Sequence, residues 1–206
     1  MRFVIPDLVN PMDYPKSVRR AVAQRRDAVI QEWRAHNDAL RPTLSPELTW
    51  LLDFSLDDGI THSLRIVPAE RWLVLTLWVG DAQRGYFEAQ LRYEGITLSP
   101  METQLLCLIV ADERNDIYWS ELEREENGHY IHRIRWHTRI PIGNFHGKDG
   151  SYLGYHTLGP ELAFRFTDFG RDLRPAPQNY ERPKEVITIV QDQSELEGWG
   201  DFMHSL

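Results

Sequence analysis

The sequence predicts an α+β fold in which N-terminal helices pack on a mainly antiparallel β-sheet. Three observations predict it. Apolar residues keep helical spacing to about residue 52, short β-rich runs with short connectors begin near residue 60, and Asn127-Gly128 stands between two such runs. The 206 residues fit one domain. Its expected parts are a helical region over 15–52, a sheet-forming region over 60–190 with one helix near 100–110, and an acidic tail over 191–206. A chain of this length buries roughly 70% of its unfolded surface, so it needs no disulfide or metal to hold a core.

Residues 15–40 read as one long helix. Pro15 suits a first turn, and Val18, Val22, Val29, Trp33 and Leu40 recur at steps of four and seven, which turns them inward. Arg19, Arg20, Arg25 and Arg26 then fall mostly outside the stripe, where Asp27, Glu32 and Asp38 dilute their charge into an ordinary solvated face. Ser45-Pro46-Glu47 opens a second helix that carries Leu48, Leu51 and Leu52 inward. Asp57-Asp58-Gly59 reads as a turn.

Strands are expected over 60–67, 72–79 and 85–93, antiparallel because their connectors are too short for a parallel crossover. Ser99-Pro100-Met101-Glu102 is a full capping box. It starts a helix through about Val110 that packs on the sheet, since 105–110 is apolar nearly all round.

Residues 116–140 form the hairpin. A two-residue Asn-Gly turn sets Trp119 opposite Trp136, Glu123 opposite His132 and Glu121 opposite Ile134. Ile117, Trp119, Ile134 and Trp136 then share the core face, with Tyr118, Arg133, Arg135, His137 and Arg139 on the other. A turn one residue longer pairs Glu121 with Arg133 instead. The stretch 141–160, with five glycines, reads as a long loop, 162–169 as one strand and 185–190 as a last one.

Common catalytic signatures are missing: no phosphate-binding glycine loop, no nucleophile elbow, no dinucleotide fingerprint. Five of the eight histidines fall in 129–156, but their spacing is poor for a metal site, and no metal or cofactor is expected. The single Cys107 sits in an apolar run and reads as a small buried hydrophobe. Glu121, Glu123 and His132 admit two readings, an acid/base pair or a cross-strand charge pair, and the second is the more economical. The candidate binding residues are Asp57, Asp58, Glu121, Glu123, His132, His146, Tyr152 and Trp199; none is assigned a catalytic role.

The net charge of −8 argues against a nucleic-acid partner and suits a protein with a basic surface. The apolar run at Phe3-Val4-Ile5 is too short for a signal-peptide core, and no run approaches a membrane span, so the cytoplasm is the expected compartment.

Two stretches carry a resemblance. Leu56-Asp57-Asp58-Gly59-Ile60 before a strand pair is the first. The second runs from Asp116-Ile117-Tyr118 through Asn127-Gly128 to Trp136 and on to Phe164-Arg165-Phe166-Thr167-Asp168-Phe169. Together, over about residues 50–170, they resemble uncharacterised bacterial families similar to small cytoplasmic immunity proteins encoded near polymorphic toxins. Where those families tend to have Leu-His-Asp, this chain has Leu56-Asp57-Asp58. The resemblance implies a bacterial cytoplasmic protein and carries no activity to any residue. The expected function is therefore a non-enzymatic binding protein of the immunity type. The alternative is an enzyme or small-ligand-binding domain with its site at the 116–140 hairpin and the 141–160 loop.

Overall fold

The computed structural model describes residues 15–81, 85–112, 115–137, 158–176 and 186–190. The architecture is α+β, with three α-helices and two mainly antiparallel sheets among the described residues. Helix α1 (Lys16–Leu40) leads through a single 3-10 turn to α2 (Pro46–Asp53), whose Ser45 cap accepts from the Leu48 amide. Of α1 only Asn37 and Leu40 are buried. Val18, expected inward, is exposed, and Arg19 and Arg26 share the half-buried stripe with Val22, Val29 and Trp33. The reason is geometric. The helix is long, and among the described elements it meets the sheets chiefly along β4 (Ile117–Arg124), near its C-terminal end.

The first sheet joins β1 (Ile60–Val67), β2 (Trp72–Asp81), β3 (Gly85–Glu94), β7 (Asp168–Pro175) and β8 (Ile187–Ile189) in the order β7-β3-β2-β1-β8. Among the described strands only β8 runs parallel to its neighbour, β1. The second sheet holds β4, β5 (Tyr130–His137) and β6 (Leu158–Phe166). Leu73, Leu75, Leu91 and Tyr93 of one sheet and Ile134, Trp136, Phe164 and Phe166 of the other fall in one buried cluster. Leu48 and Leu51 of α2 complete that cluster, with Leu106, Ile109 and Val110 of α3 (Pro100–Ala111). The capping box of α3 is formed as predicted, but Leu108 within its apolar run points to solvent.

Residues 162–169, expected as one strand, belong to two. Thr167 alone separates β6 from β7, and the chain changes sheets there. The corner is pinned: the Thr167 amide donates to the Glu94 carbonyl over 2.8 Å. Gly95 lies so close, at φ +66°, that a Cβ there would collide with Thr167 Oγ1.

The hairpin turns at Asn127-Gly128, but over three residues. Gly128 N donates to Glu125 O at 3.0 Å, Glu125 N to His129 O at 2.8 Å, and Asn127 Oδ1 accepts from His129 N at 2.9 Å. Gly128 alone takes a positive φ, +87°, whereas a two-residue type I′ turn needs one at Asn127 as well. The longer register therefore holds: Glu121 faces Arg133, Glu123 faces Ile131 and Leu122 faces His132. A bulge at Tyr118 then sets Ile117 against Trp136 and Trp119 against Arg135. Trp119 thus leaves the core face and packs on Trp33 of α1, ring centroids 5.2 Å apart.

Candidate functional site

Local geometry brings two groups of polar residues together at the hairpin, one inside and one at its rim. The inner group is His132 with Tyr93. Register turns His132 to the core side with Ile134 and Trp136, where its Nδ1 and the Tyr93 hydroxyl share a 2.7 Å hydrogen bond. Burial holds the imidazole down to about 3 and pushes the phenol well above its ordinary value, so both stay neutral. The proposed Glu123–His132 pair is therefore not formed. Glu123 lies on the opposite face, its Oε1 3.4 Å from Arg133 Nε, and Arg133 and Arg135 also approach Glu161 at 3.8 and 3.3 Å. Glu121 is buried on that outer face, opposite Arg133. These three strands thus carry a charge ladder of the cross-strand kind.

The rim group is built by the Asp57-Asp58-Gly59 turn. Asp58 N donates to Ile117 O and Ile117 N to Gly59 O, each over 2.8 Å, which docks the turn on the start of β4. Asp58 takes a left-handed φ of 63°, a conformation that Asp tolerates better than most residues. Just beyond, Asp116 Oδ2 accepts from His137 Nδ1 at 2.6 Å, and the Tyr118 ring lies 4.7 Å from that imidazole. The bulge is what sets Tyr118 beside His137. Buried Asn115 braces the junction: its side chain accepts from Thr61 N and donates to the carbonyls of Thr61, Ile109 and Val110.

Electrostatics at the rim are uneven. Loss of hydration pushes the Asp57 carboxyl above its ordinary value and Asp58 pushes the same way, although a Ser55 hydrogen bond opposes them. Asp57 is exposed as a residue; its carboxyl nevertheless lies against enough protein to be partly desolvated. Burial also raises the Tyr118 phenol, with Arg135 lowering it and Asp57 raising it further. Nε2 of His137 is buried, so this pair does not offer an exposed base.

Of the residues singled out in the sequence, Asp57 and Asp58 meet at the rim, Glu121 and Glu123 lie on the outer face, and His132 lies in the core. His146, Tyr152 and Trp199 lie outside the described residues, as do most of the 141–160 loop and the 191–206 tail. Asp116, Tyr118 and His137 had no place in the sequence-derived site; their only signal was the even spacing of β-rich residues that a bulge interrupts. Among the described residues no three His, Cys, Asp or Glu side chains converge to hold a metal ion, and no helix is long and apolar enough to cross a membrane. No protein-family model, curated protein or solved structure matches the chain.

Proposed function

We propose that this chain is a non-enzymatic protein-binding protein of the immunity type, which neutralises a toxin by covering a basic surface of it. The observation that carries this reading is the rim where the Asp57-Asp58-Gly59 turn docks on the start of β4 and Asp116 holds His137 beside half-buried Tyr118. Desolvation disfavours the charged form of Asp57 in the free protein. A lysine or arginine from a partner would supply the missing counter-charge, and the Tyr118 ring offers such a cation a favourable face. The net charge of −8 draws a basic partner at long range.

Co-expression with the neighbouring gene product, followed by pull-down and titration calorimetry at low and high salt, tests it. A complex whose affinity falls with salt supports the reading; no bound partner and no protection from an adjacent toxin overturn it. A second reading, small-ligand binding at the hairpin, draws on Asp116 and the half-buried Tyr118 ring beside His137. It predicts a ligand whose binding is lost in Tyr118→Ala while the protein partner still binds.

A further inference from the structure

The described asparagines stand in unlike surroundings. Asn37 is buried in α1 and precedes Asp38, and Asn115 is buried before Asp116 with its amide bonded to backbone on both sides. Asn127 is exposed at the hairpin turn and precedes Gly128. The backbone nitrogen after an asparagine is the nearest nucleophile to its side-chain carbonyl, and glycine hinders it least because it has no Cβ. At Gly128 a Cβ would meet nothing within 4 Å, so the approach is open. Asn127 Oδ1 accepts from His129 N at 2.9 Å, an Asx turn that folds the side chain back over the Gly128 peptide. That N–H also steadies the negative charge that Oδ1 gathers when Cγ is attacked. One contact opposes the attack: Gly128 N donates to Glu125 O at 3.0 Å and must first let go. Losing one such exposed bond slows a reaction by only about tenfold, and a surface hairpin end opens far more readily than the whole fold.

We propose that Asn127 is a site of spontaneous covalent modification, which closes on Gly128 and opens to isoaspartate while the protein stays folded. The Gly128 nitrogen forms a bond to Asn127 Cγ and gives up its proton. The Cγ–Nδ2 bond breaks, and Nδ2 takes up a proton and leaves as ammonia. Water is the co-reactant of the second step, in which it opens the cyclic imide. Addition at Cγ gives aspartate; addition at the former backbone carbonyl gives isoaspartate, and the chain then runs through Cγ. Either product adds one negative charge to the net −8. It also replaces the Nδ2 donor, 3.2 Å from Glu125 Oε2, by a carboxylate that repels Glu125. Isoaspartate lengthens the backbone by one atom, but inside the turn, so the ladder from Arg124–Tyr130 onward keeps its register. The hairpin thus takes up a charge that records the age of the molecule.

Incubation of the full chain at neutral pH and body temperature over weeks, in buffer and in urea, tests it. Trypsin cuts after Arg124 and Arg133, and so isolates Asn127 in the peptide 125–133 for mass spectrometry. The expected result is loss of ammonia and gain of water at Asn127, with isoaspartate exceeding aspartate. The native rate should lie within about tenfold of the rate in urea, as one released hydrogen bond requires. In the native protein Asn37 and Asn115 should stay intact. Gly128→Ala, with an unchanged circular-dichroism spectrum as evidence of folding, should convert at least about tenfold more slowly. A native peptide that stays unmodified overturns the proposal, as does conversion of Asn37 or Asn115 at the same rate. Aspartate without isoaspartate, or an unaltered rate in Gly128→Ala, overturns the ring closure on Gly128.

Discussion

His132 and Tyr93 stand on opposing sheets and share one 2.7 Å hydrogen bond inside the core. The pair joins the two sheets through neutral groups, and its neutrality has a cost at low pH. His132 is held down to about 3, against an ordinary 6.5. Below pH 6.5 the unfolded chain binds a proton that the folded chain refuses, so stability is full above that value and falls as pH drops toward 3. The slope is about 1.4 kcal/mol per pH unit. Urea denaturation at pH 7.5 and 5.0 should show the fall in the wild type and a shallower one in His132→Phe.

Asp57 has the opposite sign. Its folded carboxyl is raised, so its ionisation weakens the fold as pH climbs through the raised value. Asp57→Asn should leave stability at pH 7 unchanged or slightly higher, within about 0.5 kcal/mol. The same substitution should weaken a basic partner by roughly tenfold or more and flatten the salt dependence. Paired denaturation and calorimetry separate these effects; a variant that binds normally removes Asp57 from the interface.

Asn115 makes one of the most completely bonded buried side chains described, with Thr61, Ile109 and Val110 as its partners. Asn115→Leu leaves the Thr61 amide only its longer 3.3 Å bond to the backbone carbonyl of residue 115 and removes the side-chain donor to three carbonyls. It should cost roughly 2–4 kcal/mol, because a buried unsatisfied group is worth about 1–3 kcal/mol and the new side chain must also be fitted. Chemical denaturation reads the loss.

Gly128 supplies the left-handed residue of the hairpin turn at φ +87°, in open space. Gly128→Ala meets no clash and should still cost about 1–2 kcal/mol from backbone strain alone. A lowered denaturation midpoint with unchanged m-value is the expected signature.

Much of the fold was legible locally. Ser99 and Glu102 form the box their spacing announced, and the strands from 60 to 94 pair as their short connectors require. The hairpin was legible too, but not its register. Asn-Gly serves both a two-residue turn and a three-residue one, and the choice depends on backbone angles that the residue types leave open. That one-residue difference moved Trp119 off the core face and parted Glu123 from His132. The true partner of His132 is 39 residues away, beyond any periodicity. Asp57 and Asp58 were visible as a turn; their neighbours Asp116, Tyr118 and His137 were not, because a bulge set them there. The run 162–169 is continuously β-rich, and only the facing sheet shows where it breaks.

Thr167 makes the two sheets share one thread. A residue gained or lost at this corner would turn over the side chains of β7, sending Phe169 and Leu173 outward and Asp172 and Arg174 into the core. The loop at 126–128 has no such burden, since it closes a hairpin at the surface. Length variation between relatives of this chain should therefore collect at 126–128 and be missing at 167. The same contrast marks where a new terminus or a tag can be spliced in: the hairpin loop will accept the cut, and the corner will not.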